Sequence, residues 1–181
     1  MVDASLDMSL DERLDCCRSA CALAAAVRHL PPPPDPVSVL RALVEARIEF
    51  IVVGDFAAML HGSPIVAFDL EIVCRPDVVA TERAREIVRL AGARALAANA
   101  PEILVDDILG AALLRDAIGG GLKYADLAPQ AISIEVDGRA LRVLCLEKIV
   151  ESMQASIRER DRASVPTHAA TLTRLRERAR R

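Results

Sequence analysis

Between residues 36 and 74 the spacing of apolar positions changes period several times. Val39, Leu40, Leu43 and Val44 recur at helical spacing. The helix they predict has Asp35 as its cap and Pro36 at its first position. Ile48 to Gly54 is almost continuously apolar and reads as a buried strand. "FAAMLHG" then fits two turns of helix ending at Gly62, and "VAFDLEIVC" fits a second strand, lying beside the first.

Downstream, "VVATERAREIVRLAG" predicts a helix stopped by Gly92, and "EILVDDIL" a third strand. "AIGGGLKYADLAP" reads as a loop with a short helix. "AISIEVDGRALRVLCL" is a hairpin turning at Asp137-Gly138, with alternating residues on either side. Helices follow at 147–156 and 167–181. At the other end, "SLDERLDCCRSACALAAAVRHL" predicts a helix with a Ser9/Glu12 capping box, and "PPPPDP" a stiff spacer. No repeat is visible. The organisation is an N-terminal helical extension with a Pro-rich linker, residues 1–34, followed by an α/β (α+β) domain, residues 35–181. That domain has a small mixed sheet flanked by helices.

Composition narrows the picture. Aromatics make up 2% of the 181 residues while 52% are hydrophobic, so the core must come from Leu, Ile, Val and Ala. A net charge of −3 argues against nonspecific coating of nucleic acid by the whole surface. No apolar run approaches the ~20 residues of a membrane span. The start "MVDASLDMSLDERLD" is acidic and lacks the basic flank of a signal peptide, so a cytoplasmic location is expected. Five cysteines without a C-x-x-C pair fit buried small residues in a reducing compartment better than a soft-metal site. "RLRERARR" at the C-terminus reads as a solvated tail or as a contact for RNA or acidic partners. His61 reads as structural or exposed. Lys123 and Tyr124 are candidates to touch a base or a substrate.

The chemistry concentrates at Asp69 and Glu71. Two residues apart on a strand, they project to one face, while Phe68, Leu70 and Ile72 project to the other. Like charges so close repel unless a cation separates them. Mg²⁺ or Mn²⁺, which prefer carboxylate oxygen, resolve that repulsion; the plainer alternative is the solvent face of an edge strand. Gly54, at the end of a buried strand, lets backbone N–H groups approach a phosphate.

"VVGDFAAMLHGSPIVAFDLEI" resembles the nucleotidyltransferase signature of the DNA polymerase β superfamily: apolar strand, small-residue turn, then Asp-x-Asp or Asp-x-Glu on the next strand. Its spelling is similar to the minimal nucleotidyltransferases, small standalone bacterial proteins. The likeness continues through "GGGLKYADLAP", "EVDGRALRVLCLEKIVES" and "RERDRASVP", covering roughly Pro36 to Leu175. It implies that Asp69 and Glu71 hold Mg²⁺ or Mn²⁺, with Asp107 (or Asp106) as a third catalytic carboxylate. It places Gly54, Asp55, Ser63, Arg158 and Arg160 on the nucleotide, with Ser63 either near the phosphates or capping the turn before the strand. The implied reaction is transfer of a nucleoside monophosphate from an NTP to a hydroxyl of a protein, RNA or small molecule. An antitoxin role with a toxin-like partner, or a homodimer, follows by analogy.

The chain also departs from that pattern. Asp55 stands where relatives carry a second small residue, and it either repels phosphate or caps the helix it begins. "VAFD" lacks the Thr or Lys that relatives often carry two residues before Asp69. Met153 replaces a Lys, and Arg158, Arg160 and Asp161 spell a variant of a basic Arg-x-Lys-Asp block. The alternative function is therefore a catalytically degenerate module that binds a nucleotide or a partner.

Overall fold

The computed structural model describes residues 2–27, 35–90, 95–96 and 112–181. In chain order these form α1 (Val2–Asp7), α2 (Leu10–Val27), α3 (Pro36–Glu45), β1 (Phe50–Val53), α4 (Gly54–Leu60), β2 (Leu70–Cys74), α5 (Val78–Leu90), β3 (Ala95–Leu96) and β4 (Ala112–Arg115). A 3₁₀ turn at Gly119–Gly121 leads to α6 (Tyr124–Leu127), then β5 (Ala131–Val136), β6 (Arg139–Leu144), α7 (Leu146–Gln154) and α8 (Glu159–Ala179).

The strands form one mixed sheet in the order β3-β4-β2-β1-β6-β5. β1 runs antiparallel to β2, with Val53 opposite Glu71, and parallel to β6, with Val52 opposite Val143. β4 runs parallel to β2, and β5 and β6 form the hairpin. The expected adjacency of the first two strands is therefore met, and α/β architecture with a mixed sheet holds. β2 is an interior strand, which removes the edge-strand alternative for Asp69 and Glu71. Strand β2 begins one residue after Asp69.

Local chemistry explains the boundaries. Asp35 accepts hydrogen bonds from the backbone N–H groups of Val37 and Ser38, with Pro36 opening α3. Ser9 Oγ accepts from Glu12 N at 3.2 Å and Glu12 Oε2 accepts from Ser9 N at 2.7 Å, closing the capping box of α2. Asp137 and Gly138 both take positive φ, 51° and 69°, as a tight hairpin turn requires.

Four elements differ from expectation, among them the short β3, which lies between the predicted helix and the third predicted strand. Helix α1 precedes the Ser9 cap, and its acidic residues meet α8: Arg178 Nη1 lies 2.9 Å from Asp7 Oδ1 and Arg174 Nε 3.5 Å from Asp3 Oδ1. Strand β4 fills a stretch with no predicted element. Helix α8 starts eight residues earlier than expected and runs through Pro166. A proline inside a helix costs ~3 kcal/mol; the tertiary hydrogen bonds of buried Asp161 and His168 on the same helix work against that cost. The third predicted strand, the Gly92 stop and the Pro-rich spacer lie outside the described residues.

Ile51, Val52, Val53, Ile72, Val143 and Leu144 form the centre of the core, and Leu14, Cys17 and Cys21 of α2 belong to the same cluster. These α2 residues recur at helical spacing, and the face they form packs within the chain. Among the described residues no helix is long and apolar enough to cross a membrane. Leu14 is 4% exposed and Leu23 67%. Leu14→Ala is expected to cost about 2–5 kcal/mol, as for other buried leucines. Leu23→Ala should stay within about 0.5 kcal/mol. Urea unfolding of both variants checks this; equal costs would mean that α2 does not belong to the core.

Candidate functional site

Strand β1 delivers the chain to Gly54, whose φ of +71° favours glycine and leaves room for a close neighbour. The neighbour is Glu71, paired across the sheet with Val53; any Cβ at Gly54 would overlap Glu71 Oε2. The Glu71 carboxylate thus lies directly over the turn between β1 and α4.

Two buried carboxylates dominate this end of the sheet, Asp69 and Glu71. Arginines from two distant segments meet them. Glu71 Oε1 accepts from Arg115 Nη2 at 2.6 Å and from both terminal nitrogens of Arg158 at 3.2 Å. Asp69 Oδ2 accepts from Arg160 Nη2 at 2.9 Å. Arg158 also donates through Nε to Asp161 Oδ2 at 2.9 Å, and Ser156 Oγ donates to the same oxygen at 2.6 Å. Arg115 comes from the end of β4, and Arg158, Arg160 and Asp161 from the start of α8. Charge therefore explains why these segments converge: a buried carboxylate is tolerated only with partners.

The electrostatics follow from that packing. Burial pushes the Glu71 carboxyl up, but Arg115 and then Arg158 outweigh it and hold the group below its ordinary value. Burial pulls the Arg158 and Arg160 guanidiniums down, while Glu71 and Asp69 respectively hold them firmly charged. Arg160 also feels Glu71 and Asp55, so Asp69, Glu71 and Asp55 share one electrostatic neighbourhood.

Asp55 does not cap α4. Val53 is the cap residue, without a side-chain cap bond, and Asp55 lies in the first turn. Its Oδ1 is 2.8 Å from Nε2 of His168, a fully buried ring whose Nδ1 is 2.8 Å from Ser63 Oγ. A carboxylate only accepts, so Nε2 carries a proton toward Asp55, while Nδ1 and the Ser63 hydroxyl share the second hydrogen bond. Ser63 is buried, and its Oγ also accepts from Ile65 N at 3.5 Å, in the turn leading toward β2. This places Ser63 in the relay and the turn. Sequence reasoning missed His168 and Arg115; no local pattern marks either, since each finds its partner across the fold.

Asp106 and Asp107 lie outside the described residues. Of the remaining candidates, His61 Nε2 sits 2.8 Å from Leu144 O and Tyr124 OH accepts from Arg142 at 3.2 Å, while Lys123 donates to Asp126 through its backbone N–H. Cys17 and Cys21 both donate to Ala67 O, at 2.9 and 3.6 Å, anchoring the chain two residues before Asp69.

A cleft of about 280 Å³ opens beside Glu71. Arg115, Arg158 and Glu71 line one side, Leu144, Ile149 and Met153 another. The backbone of Gly119 closes it, so near the Ser152 carbonyl that a Cβ would overlap it. Among the described residues no three His, Cys, Asp or Glu side chains gather in a metal-binding group. Mg²⁺ needs only one or two carboxylates when substrate phosphates complete its shell, so Asp69 and Glu71 fit Mg²⁺ or Mn²⁺. No protein-family model matches the chain, and no curated protein matches it.

A carboxyl held below its ordinary 4.5 adds stability that is fully present above that value and is lost as pH falls through its folded value. Urea midpoints of the parent should decline below about pH 4.5, and Glu71→Gln should flatten that decline. Superimposable acid profiles would contradict the pairing. His168→Ala strands Asp55 and Ser63 and opens a cavity, for an expected loss of about 2–4 kcal/mol in chemical denaturation. A loss under about 0.5 kcal/mol, the level of ordinary surface substitutions, would show that the relay carries no load.

Proposed function

We propose that this protein is a Mg²⁺- or Mn²⁺-dependent nucleotidyltransferase, moving a nucleoside monophosphate from an NTP to a hydroxyl acceptor. One observation carries the reading: buried Glu71 meets Arg115 and Arg158 over the Gly54 turn in the lining of a cleft, with a second buried carboxylate, Asp69, two residues away on Arg160. A metal–polyphosphate complex presents the complementary pair of charges, cation to the carboxylates and phosphate to the guanidiniums.

In this reading Asp69 and Glu71 hold the cation, which supplies neutralisation of charge on the transferring phosphoryl group. Arg115, Arg158 and Arg160 take phosphate oxygens, and Gly54 allows backbone approach. Asp161 holds the Arg158 guanidinium in a fixed plane through Nε. Leu144, Ile149 and Met153 give the nucleoside an apolar wall. Transfer of this kind works by positioning and charge compensation, for which these residues are already gathered at one end of the sheet. Asp107, or Asp106, is the proposed third carboxylate. The acceptor class is a protein, RNA or small molecule, and an antitoxin role beside a toxin-like partner or in a homodimer belongs to the same proposal.

A second reading, a nucleotide- or partner-binding module without catalysis, draws on Glu71 lying over Gly54 and on Met153 in the cleft wall. Incubation with each labelled NTP, Mg²⁺ or Mn²⁺ and cell extract separates the two. Labelling of an acceptor is expected, with Asp69→Asn lowering it about a hundredfold or more, since a lost cation ligand removes several kcal/mol. NTP binding without any labelling would favour the module.

A further inference from the structure

The two carboxylates of the site are not equivalent. Asp69 precedes β2, whereas Glu71 lies within it, opposite Val53, and its longer side chain folds back over the Gly54 turn. There one oxygen occupies the place where a side chain at Gly54 would begin, while the other receives three N–H groups from two guanidiniums. An oxyanion held by two arginines in the space that a glycine leaves open is the arrangement a bound phosphate would adopt.

We propose that Glu71 is an internal latch: without a divalent cation its carboxylate occupies the phosphate position, and a cation that engages Glu71 frees Arg115 and Arg158 for a polyphosphate. This rests on the nucleotidyltransferase reading and adds the order of assembly at the site. The same guanidinium N–H groups cannot serve Glu71 and a phosphate at once, and Glu71 Oε2 already fills the space where a Gly54 side chain would begin. Free polyphosphate is therefore excluded, and the cation–polyphosphate complex is admitted. Arg115 and Arg158 are mostly buried, with side chains 19% and 17% exposed, so solvent does not weaken the competition as it would at the surface. The latch also disposes of the charge problem of the cation-free protein, because Glu71 compensates the two arginines until a ligand does.

Pyrophosphate titrated calorimetrically into the full chain in EDTA tests this, since no cation is then present to bind either component. The parent should bind weakly. Glu71→Gln, which keeps the volume and removes the charge, should bind at least tenfold more tightly. Glu71→Asp keeps the charge but shortens the reach; it should also gain in EDTA, and it serves if the glutamine variant does not fold. Adding Arg158→Ala to either variant should abolish the gain. Unchanged affinity in both variants, or a gain that survives loss of Arg158, would overturn the latch. The outcomes separate from those of the transferase reading: a parent that labels an acceptor while the variants gain nothing sinks the latch alone. A gain in EDTA without any nucleotide transfer sinks the transferase alone.

Discussion

Buried negative charge at one end of the sheet is the constraint on which the rest of the molecule depends. Asp69 and Glu71 enter the interior because β2 is flanked by β1 and β4 and covered by helices. An uncompensated carboxylate there costs several kcal/mol, and breaking a buried pair typically costs about 3–5 kcal/mol. The chain answers with arginines more than 40 residues away in sequence. Their delivery fixes where β4 ends, where α8 begins and how closely the two approach. Much of the tertiary arrangement around the cleft can be read as the geometry that brings these guanidiniums to those oxygens.

Local chemistry was legible in the sequence, and cross-fold chemistry was not. The caps at Ser9 and Asp35, the Asp137-Gly138 turn and the first two strands each depend on residues a few positions apart, and all stand as expected. The mixed sheet followed from period changes alone. Helix α1 escaped notice because its six residues show no periodicity of their own and are held by ion pairs to α8. The start of α8 escaped because Pro166 and a run of charges resemble a loop, whereas its polar residues are buried by their partners. Asp55 looked like a cap because it follows a glycine at a helix start; His168, 113 residues onward, takes it instead. Of the site, the acidic half was readable from spacing, and Arg158 and Arg160 from the resemblance. Arg115 became visible only in space.

The relay through His168 and the arginine cluster belong to the same helix. α8 meets the carboxylates at its first turn, Asp55 and Ser63 in its middle, and α1 near its end. It therefore acts as the strap that joins the N-terminal segment, the turn after β1 and the acidic strand. Cys17 and Cys21 add a second tie, holding Ala67 from α2.

Pro166 gives this strap an uneven stiffness. Lacking an N–H, it leaves the Arg162 carbonyl without its usual helical donor, midway between the arginines and His168. The helix is accordingly two mechanical segments in series: a tail clamped by a buried ring and by ion pairs, and a short head whose main attachments are its own charged side chains. Should those attachments exchange partners, as the latch requires, the missing hydrogen bond at the proline marks where the helix would yield before the aliphatic core beneath its tail.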